Sequence, residues 1–254
     1  MSNICDLKVS EGKSGSFFFF TSDNRFIIKT ISESEQKTLQ KELIQPYYDL
    51  IMENDQTLLS RIYGLYTLRM GMSKVTILLM ENVAPIDSSL VIRRFDLKGS
   101  LVGRETKQLN LSEKTKTLKD KDFLDLQHGG QHFIDFDNKS RIVISEIIEY
   151  DIELLRNCNI MDYSFFITVA ENRHFELNRT LVNNRQYYSS DSKYIYFIGI
   201  IDYLTRFDKL KQIENAFKSF MNKKSKDTIS AVNPVLYADR YYSFITKEVL
   251  NIKT

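Results

Sequence analysis

Three side chains stand where their types can do phosphoryl chemistry. Lys29 sits in the otherwise apolar run Ile27-Ile28-Lys29-Thr30, downstream of the glycine-bearing stretch Glu11-Gly12-Lys13-Ser14-Gly15-Ser16. Small residues let backbone N–H groups approach phosphate oxygens without obstruction by Cβ, and a lysine on the strand beneath could reach the same phosphates. The stretch is not a Walker A loop, since no Gly-Lys-Ser/Thr follows at the required spacing before a helix. Asp162, in Ile160-Met161-Asp162-Tyr163-Ser164, could orient an attacking hydroxyl and accept its proton. Asp202 ends the apolar run Ile198-Gly199-Ile200-Ile201 and is a hard oxygen ligand of the kind magnesium takes. Taken singly, each has a plainer explanation: a glycine turn, a solvent-facing strand lysine, a capping or turn aspartate. In chain order they form one set, glycine loop, strand lysine, loop aspartate and strand-end aspartate, the parts of a two-lobed phosphotransferase in which positioning and charge neutralisation supply most of the rate.

The elements around them must hold these groups. Phe17–Phe20 and Arg25–Ile31 are rich in aromatic and β-branched residues and flank Ser22-Asp23-Asn24, which predicts a hairpin carrying Lys29. A helix is expected from Ser34, as its cap, towards Met52, with Leu39, Leu43, Tyr47 and Ile51 on one face and Pro46 breaking or kinking it. Glu35, in that helix, is the nearest candidate partner for Lys29. Strands are expected at Tyr63–Met70 and Val75–Met80, separated by Gly71 to Lys74, and again at Ser89–Leu97. Gly103 to Lys121 is polar, has no period, and reads as a surface loop. Ile144, Ile147, Ile148, Ile152 and Leu155 share one face of a helix over Ser140–Arg156. Strands follow at Tyr163–Val169 and Tyr194–Ile201. Asn233-Pro234 predicts the capped start of a last helix reaching towards Leu250. The order implies an α+β fold of two lobes with a cleft between them.

Composition limits the classes open to the chain. Its 254 residues are 43% apolar and 27% charged, with a formal net charge of +2, ordinary for a globular protein with a real core and no ground for a nucleic-acid partner. Cys5 and Cys158 lie far apart and fit no metal or redox pattern, so reduced thiols in a cytosolic protein are expected. The N-terminus lacks the apolar core of a secretory signal. No run approaches the roughly 20 apolar residues that span a bilayer, so membrane contact is expected to be peripheral, at the cytoplasmic face.

The stretches GKSGSFFFF, RFIIKT, LLSRIYGLY, FDLKGSLVGR, MDYSFF and IGIIDYLTRFDKLK resemble the catalytic core of the phosphatidylinositol phosphate kinases, from about Gly12 to Leu250. The resemblance implies that family's protein-kinase-like fold, with an antiparallel sheet in an N-terminal lobe (residues 1–83) and a mixed C-terminal lobe (84–254). It also implies ATP and magnesium as cofactors and a phosphoinositide substrate at an anionic membrane surface. By matching positions it gives ATP binding to Gly12, Ser14, Gly15, Ser16, Lys29 and Glu35, with Met80, Glu81, Asn82 and Val83 as a hinge against the adenine. It gives catalysis to Asp162 together with Lys98 of the Asp-Leu-Lys-Gly-Ser motif, and magnesium to Asp202.

Members of the family choose their lipid with a loop after Asp202, here about residues 203–233. It carries Arg206, Lys209, Lys211, Lys218, Lys223, Lys224 and Lys226, with Phe207, Phe217 and Phe220 interleaved. Such a run suits an anionic surface at about 1 kcal/mol per basic residue, although a solvated polar loop would look similar. Glu214, twelve residues beyond Asp202, resembles the 5-kinases, where the 4-kinases carry alanine. Substrate contacts are therefore expected at Lys211, Glu214, Lys223 and Lys224, with phosphatidylinositol 4-phosphate as substrate. Phosphatidylinositol 3-phosphate is the alternative, since Leu79-Met80-Glu81-Asn82 resembles that branch. Departures are MDYSFF for MDYSLL, Lys211-Gln212 for two lysines, and little chain before Gly12. Either this is a fragment or the first lobe is minimal, and a homodimer is expected only with a fuller one. A silent phosphoinositide-binding module is the rival from another class, opposed by the joint retention of Lys29, Asp162 and Asp202. A protein kinase would show HRD and DFG sequences, and neither is present.

Overall fold

Aromatic and β-branched residues form the expected hairpin, β2 (Phe17–Phe20) and β3 (Phe26–Ile31). Asp23 closes its turn by accepting from the Thr21 hydroxyl (2.6 Å) and the Arg25 N–H (3.0 Å), and Asn24 takes a left-handed φ of 56°. The structure, a computed structural model, describes residues 9–11, 16–53, 56–106, 114, 116–172, 185–207 and 233–252. With β1 (Val9–Glu11), β4 (Ile62–Met70) and β5 (Ser73–Glu81), the hairpin builds an antiparallel sheet in the order β1-β2-β3-β5-β4. The β4–β5 turn is tighter than expected. Ser73 and Lys74 pair with Met70 and Arg69, leaving Gly71 (φ 60°) and Met72 to reverse the chain.

The helical stretch differs from expectation at two points. Its cap is Ser32, not Ser34: the Ser32 hydroxyl accepts from the Glu35 N–H (3.2 Å), and the Glu35 carboxylate accepts from the Ser32 N–H (2.8 Å). Nor does Pro46 end it. Helix α1 (Glu33–Thr38) passes through a π-helical turn at Leu39–Leu43 into α2 (Ile44–Glu53). The wider turn lies just ahead of Pro46, where an α-helix would drive the ring into the carbonyl of Glu42. Leu39, Leu43, Tyr47 and Leu50 are buried along it.

The second sheet runs β10-β11-β9-β6-β7, from Gln186–Tyr188, Tyr194–Ile201, Ser164–Glu171, Val91–Leu97 and Thr117–Leu118. Only β7 is parallel to its neighbour, which makes the sheet mixed. Helices α3 (Asp120–His128), α4 (Asn138–Asn157) and α5 (Pro234–Phe244) accompany it, and Asn233 caps α5 through the Leu236 N–H. The fold class is therefore α+β as expected. The stretch from Gly103 to Lys121 is not simply a surface loop, because β7 and the first two residues of α3 lie within it and Asp120 is fully buried. Cys158 is a buried free thiol, and among the described residues no helix is long and apolar enough to cross a membrane.

Residues 57–60 strap the two sheets together. The Ile200 N–H donates to the Leu58 carbonyl (2.6 Å) and the Ser60 N–H to the Ile200 carbonyl (2.9 Å). Gly199 favours this approach, since a Cβ there would lie 3.3 Å from the Leu58 carbonyl and 2.8 Å from a Val83 methyl. The buried Asp151 carboxylate of α4 holds the strap by accepting from the Thr57 hydroxyl and the Leu58 N–H, both at 2.6 Å. Burial pushes the Asp151 carboxyl up to about 7, against the lowering pull of those donors and of Arg185. Because its folded value lies above its unfolded one, the folded state binds the extra proton. Stability should therefore fall as pH rises from about 4 through about 7. Asp151→Asn is expected to flatten that slope in thermal melts between about pH 5 and pH 8; an unchanged slope would exclude Asp151 as its source.

Candidate active site

Strand register brings three of the sequence-derived residues to one place. In the order β11-β9-β6, Ile201 lies opposite Ser164 and Leu97 opposite Phe165. The ends of β11 and β6 thus meet the beginning of β9. Asp202 and Lys98 are the residues just beyond the ends of β11 and β6, and Asp162 lies two residues before β9, so they share one edge of the sheet. The Lys98 ammonium contacts the Asp162 carboxylate at 2.7 Å and also donates to the Asp162 carbonyl.

Both aspartates have positive φ, 66° at Asp162 and 61° at Asp202. The left-handed region costs a non-glycine residue about 1–3 kcal/mol, although aspartate tolerates it better than most. Such strain persists where surroundings over-determine it. At Asp162, β8 (Ile160–Met161) pairs with β12 (Thr205–Arg206) on one side. On the other side, the Tyr237 hydroxyl of α5 donates to the Tyr163 carbonyl.

Lys29 reaches this edge from the first sheet. It is 7% exposed, which excludes a solvent-facing strand lysine. Its ammonium lies 3.0 Å from Asp202, 3.4 Å from Glu35 and 5.6 Å from the centre of the Phe18 ring, its cross-strand neighbour. Burial opposes its charge, but the carboxylates of Asp202 and Glu35 outweigh that and hold its pKa above the ordinary lysine value. Ile62, Leu78, Met80, Tyr203 and Leu204 line the narrow cleft beside Lys29 and Asp202. A larger cavity of about 480 Å³, lined by residues including Gln127, His132, Arg141 and Lys247, lies away from all of them.

The donor set fits a magnesium nucleotide. Asp202 is half exposed and engages Lys29 through Oδ1 alone. Magnesium is commonly held by one or two carboxylates together with phosphate and water oxygens. The cleft is apolar along Ile62, Leu78, Met80 and Leu204 and carries a cation, Lys29, beside Asp202.

Other expected residues fare differently. Ser16 is buried, whereas Gly12, Ser14 and Gly15 lie outside the described residues, as do Lys211, Glu214, Lys223 and Lys224. The Glu81 side chain is held within the fold, accepting from Arg185 (2.6 Å) and from the Arg61 N–H (3.0 Å). Asn82 donates to the Asn24 carbonyl (2.7 Å) and accepts from the Ala84 N–H (3.2 Å). Val83 is buried against Gly199. The segment 203–207, expected as the start of the lipid-choosing loop, is built into the fold: Tyr203 and Leu204 are buried and Phe207 packs on the core. Arg206, about half exposed, contacts Glu42 at 2.8 Å. Sequence reasoning missed Asp120, Arg104 and Arg185, which act by long-range pairing. The one local signal was Asp120 and Asp122 ahead of Phe123-Leu124, the acidic first turn of a helix.

A family profile described as phosphatidylinositol-4-phosphate 5-kinase matches residues 2–186 and 170–248. A phosphatidylinositol 4-phosphate 5-kinase of Plasmodium falciparum is 32% identical over 96% of this chain and 16% of that protein. The its3 phosphatidylinositol 4-phosphate 5-kinase of Schizosaccharomyces pombe is 29% identical over 94% of this chain and 41% of its own length. The human type-1 beta phosphatidylinositol 4-phosphate 5-kinase is also 29% identical, over 94% of this chain and 51% of that protein. The chain thus spans about half or less of the length of these relatives.

Proposed function

The chain belongs to the phosphatidylinositol-4-phosphate 5-kinase family, and from that premise we propose that it is an ATP-dependent lipid kinase acting on a phosphatidylinositol monophosphate. The favoured substrate is phosphatidylinositol 4-phosphate, phosphorylated at the 5-hydroxyl. The observation that carries this reading is the meeting of Lys29 with Asp202 and of Lys98 with Asp162 at one strand edge. A silent binding module has no need of two charge pairs held so closely against their desolvation.

In this reading Asp162 orients the inositol hydroxyl and accepts its proton as the oxygen attacks. Lys98 holds the Asp162 carboxylate in place and keeps a positive charge beside the attacking oxygen. Lys29, anchored by Glu35, meets the nucleotide phosphates, and Asp202 offers carboxylate oxygen to magnesium. Magnesium-bound ATP, when present, supplies the phosphoryl group and further neutralises its charge. Since the Glu81 and Asn82 side chains are engaged elsewhere, contact with the base falls to Met80 and main-chain atoms.

The division into lobes at residues 1–83 and 84–254 follows from the same reading, with the Lys29–Asp202 pair bridging the cleft. Lys211, Glu214, Lys223 and Lys224 are assigned to the lipid through the family resemblance. The positive charges of the three lysines among them would hold the protein peripherally at the cytoplasmic face of an anionic membrane. The deciding experiment offers the purified chain phosphatidylinositol 3-, 4- and 5-phosphate with labelled ATP and determines the ring position of the new phosphate. Transfer to the 5-position of the 4-phosphate lipid is expected. Preference for the 3-phosphate lipid would move the chain to the alternative branch, and no transfer by folded protein would end the kinase reading.

A further inference from the structure

Asp120, the first residue of α3, is 0% exposed. A carboxylate that deep in the fold must be matched by donors, because an unpaired buried charge is strongly destabilising. Its donors come from one short segment. Oδ1 accepts from the backbone N–H groups of Lys98 (2.8 Å), Gly99 (2.7 Å) and Ser100 (3.3 Å), and Oδ2 accepts from Arg104 Nε (2.7 Å). Successive N–H groups turned to one side form a concavity that holds anions, and here the anion is the chain's own side chain. The turn needs glycine: Gly99 has a φ of +66°, and a Cβ on it would lie 3.1 Å from the Arg240 carbonyl and from Phe244 Cβ. Arg104 closes the arrangement by contacting Asp96 at 2.7 Å as well.

This is not ordinary capping of α3. The first-turn carboxylate that reaches back to the Lys119 N–H is Asp122 (2.9 Å), whereas the bonds of Asp120 all go to the Lys98–Arg104 segment. Lys98, anchored there by its N–H, sends its ammonium to Asp162 at 2.7 Å. We propose that Asp120 is a positioning residue for phosphoryl transfer: by fixing the backbone at Lys98–Ser100 it delivers the Lys98 ammonium to the Asp162 carboxylate, and its effect on the reaction passes through Lys98. The inference rests on the reading of Asp162 as the catalytic carboxylate.

The test uses the full chain with Asp120→Asn, Asp120→Ala and Lys98→Met, singly and with Lys98→Met combined with each Asp120 variant. One readout is steady-state transfer to phosphatidylinositol 4-phosphate in micelles. Asp120→Ala should lower kcat about a hundredfold, the scale of a small misplacement, with KM for ATP unchanged. Asp120→Asn, which keeps an acceptor for the three N–H groups, should recover most of that loss. With Lys98→Met in place, either Asp120 substitution should cost nothing further; additive losses would overturn the proposal. The second readout needs no activity: acetylation of Lys98 by acetic anhydride, followed by mass spectrometry, with Lys29 as internal reference. Asp120→Ala should speed labelling of Lys98 several-fold and leave Lys29 unchanged. Equal acceleration of both lysines would show general loosening and overturn the proposal, as would no change at either. Should Asp120→Ala not fold, Asp120→Asn decides alone: Lys98 must stay protected and kcat near wild type, and loss of either refutes it. If the wild type transfers no phosphate, the lipid-kinase reading fails while the labelling comparison still tests the positioning.

Discussion

Asp202→Asn is expected to lower phosphoryl transfer on the order of 10³-fold or more, the scale of losing a preorganised charge at the reacting centre. The substitution preserves shape and removes only the negative charge. Lys29 then retains Glu35 at 3.4 Å as its remaining carboxylate, and the half-exposed position 202 no longer offers an anionic oxygen to a metal. Folding should be little affected, because Asp202 is at the surface end of β11 and substitutions there lack a buried partner to strand beyond Lys29. Co-sedimentation with anionic liposomes should therefore remain close to wild type while labelled-phosphate transfer disappears. Retention of activity within about tenfold would remove Asp202 from the metal site. Joint loss of binding and transfer would assign its effect to folding instead.

The largest effect on stability is expected at Glu81. It is 3% exposed and lies 2.6 Å from Arg185, which is 5% exposed and donates its other terminal nitrogen to the Leu59 carbonyl at 2.6 Å. Removing one member of such a pair leaves the other charged in the interior, at a cost of about 3–5 kcal/mol. For a chain of this size each kcal/mol lowers the melting temperature by about 2–4 °C, so Glu81→Ala should melt on the order of 10 °C early. Calorimetry on Glu81→Ala, Arg185→Met and the double variant checks this. The double variant should lose clearly less than the two singles together, because it strands no charge. A loss below about 1 kcal/mol for Glu81→Ala would mean that water reaches Arg185 and that the pair is not buried in solution.

Much of the scaffold was readable in advance because its signals are local. The Phe17–Ile31 hairpin follows from β-branched and aromatic runs around Asp23-Asn24, helix α4 from the 3.6-residue recurrence of its isoleucines, and α5 from Asn233-Pro234. Pro46 misled, because a π turn ending three residues ahead of it accommodates the ring, and nothing in the local sequence marks that turn. Asp120 misled more seriously. In a run of Lys119-Asp120-Lys121-Asp122 it reads as solvated charge, and only the folded path of Lys98–Arg104 around it reveals a buried acceptor.

By itself the sequence determined which groups are available and in what order: a lysine on a strand, two aspartates beyond strand ends, and motif residues shared with one kinase family. Tertiary structure decided which of them meet. Register in β11-β9-β6 places Asp202, Asp162 and Lys98 on one edge, and sheet docking through residues 57–60 brings Lys29 within 3.0 Å of Asp202. It also gave Arg206 and the Glu81 side chain partners of opposite charge that are distant in sequence. The physical reason is range. Propensity and periodicity act over a few residues and leave their mark in the chain, whereas charge pairing acts through space between residues as far apart in sequence as Lys29 and Asp202.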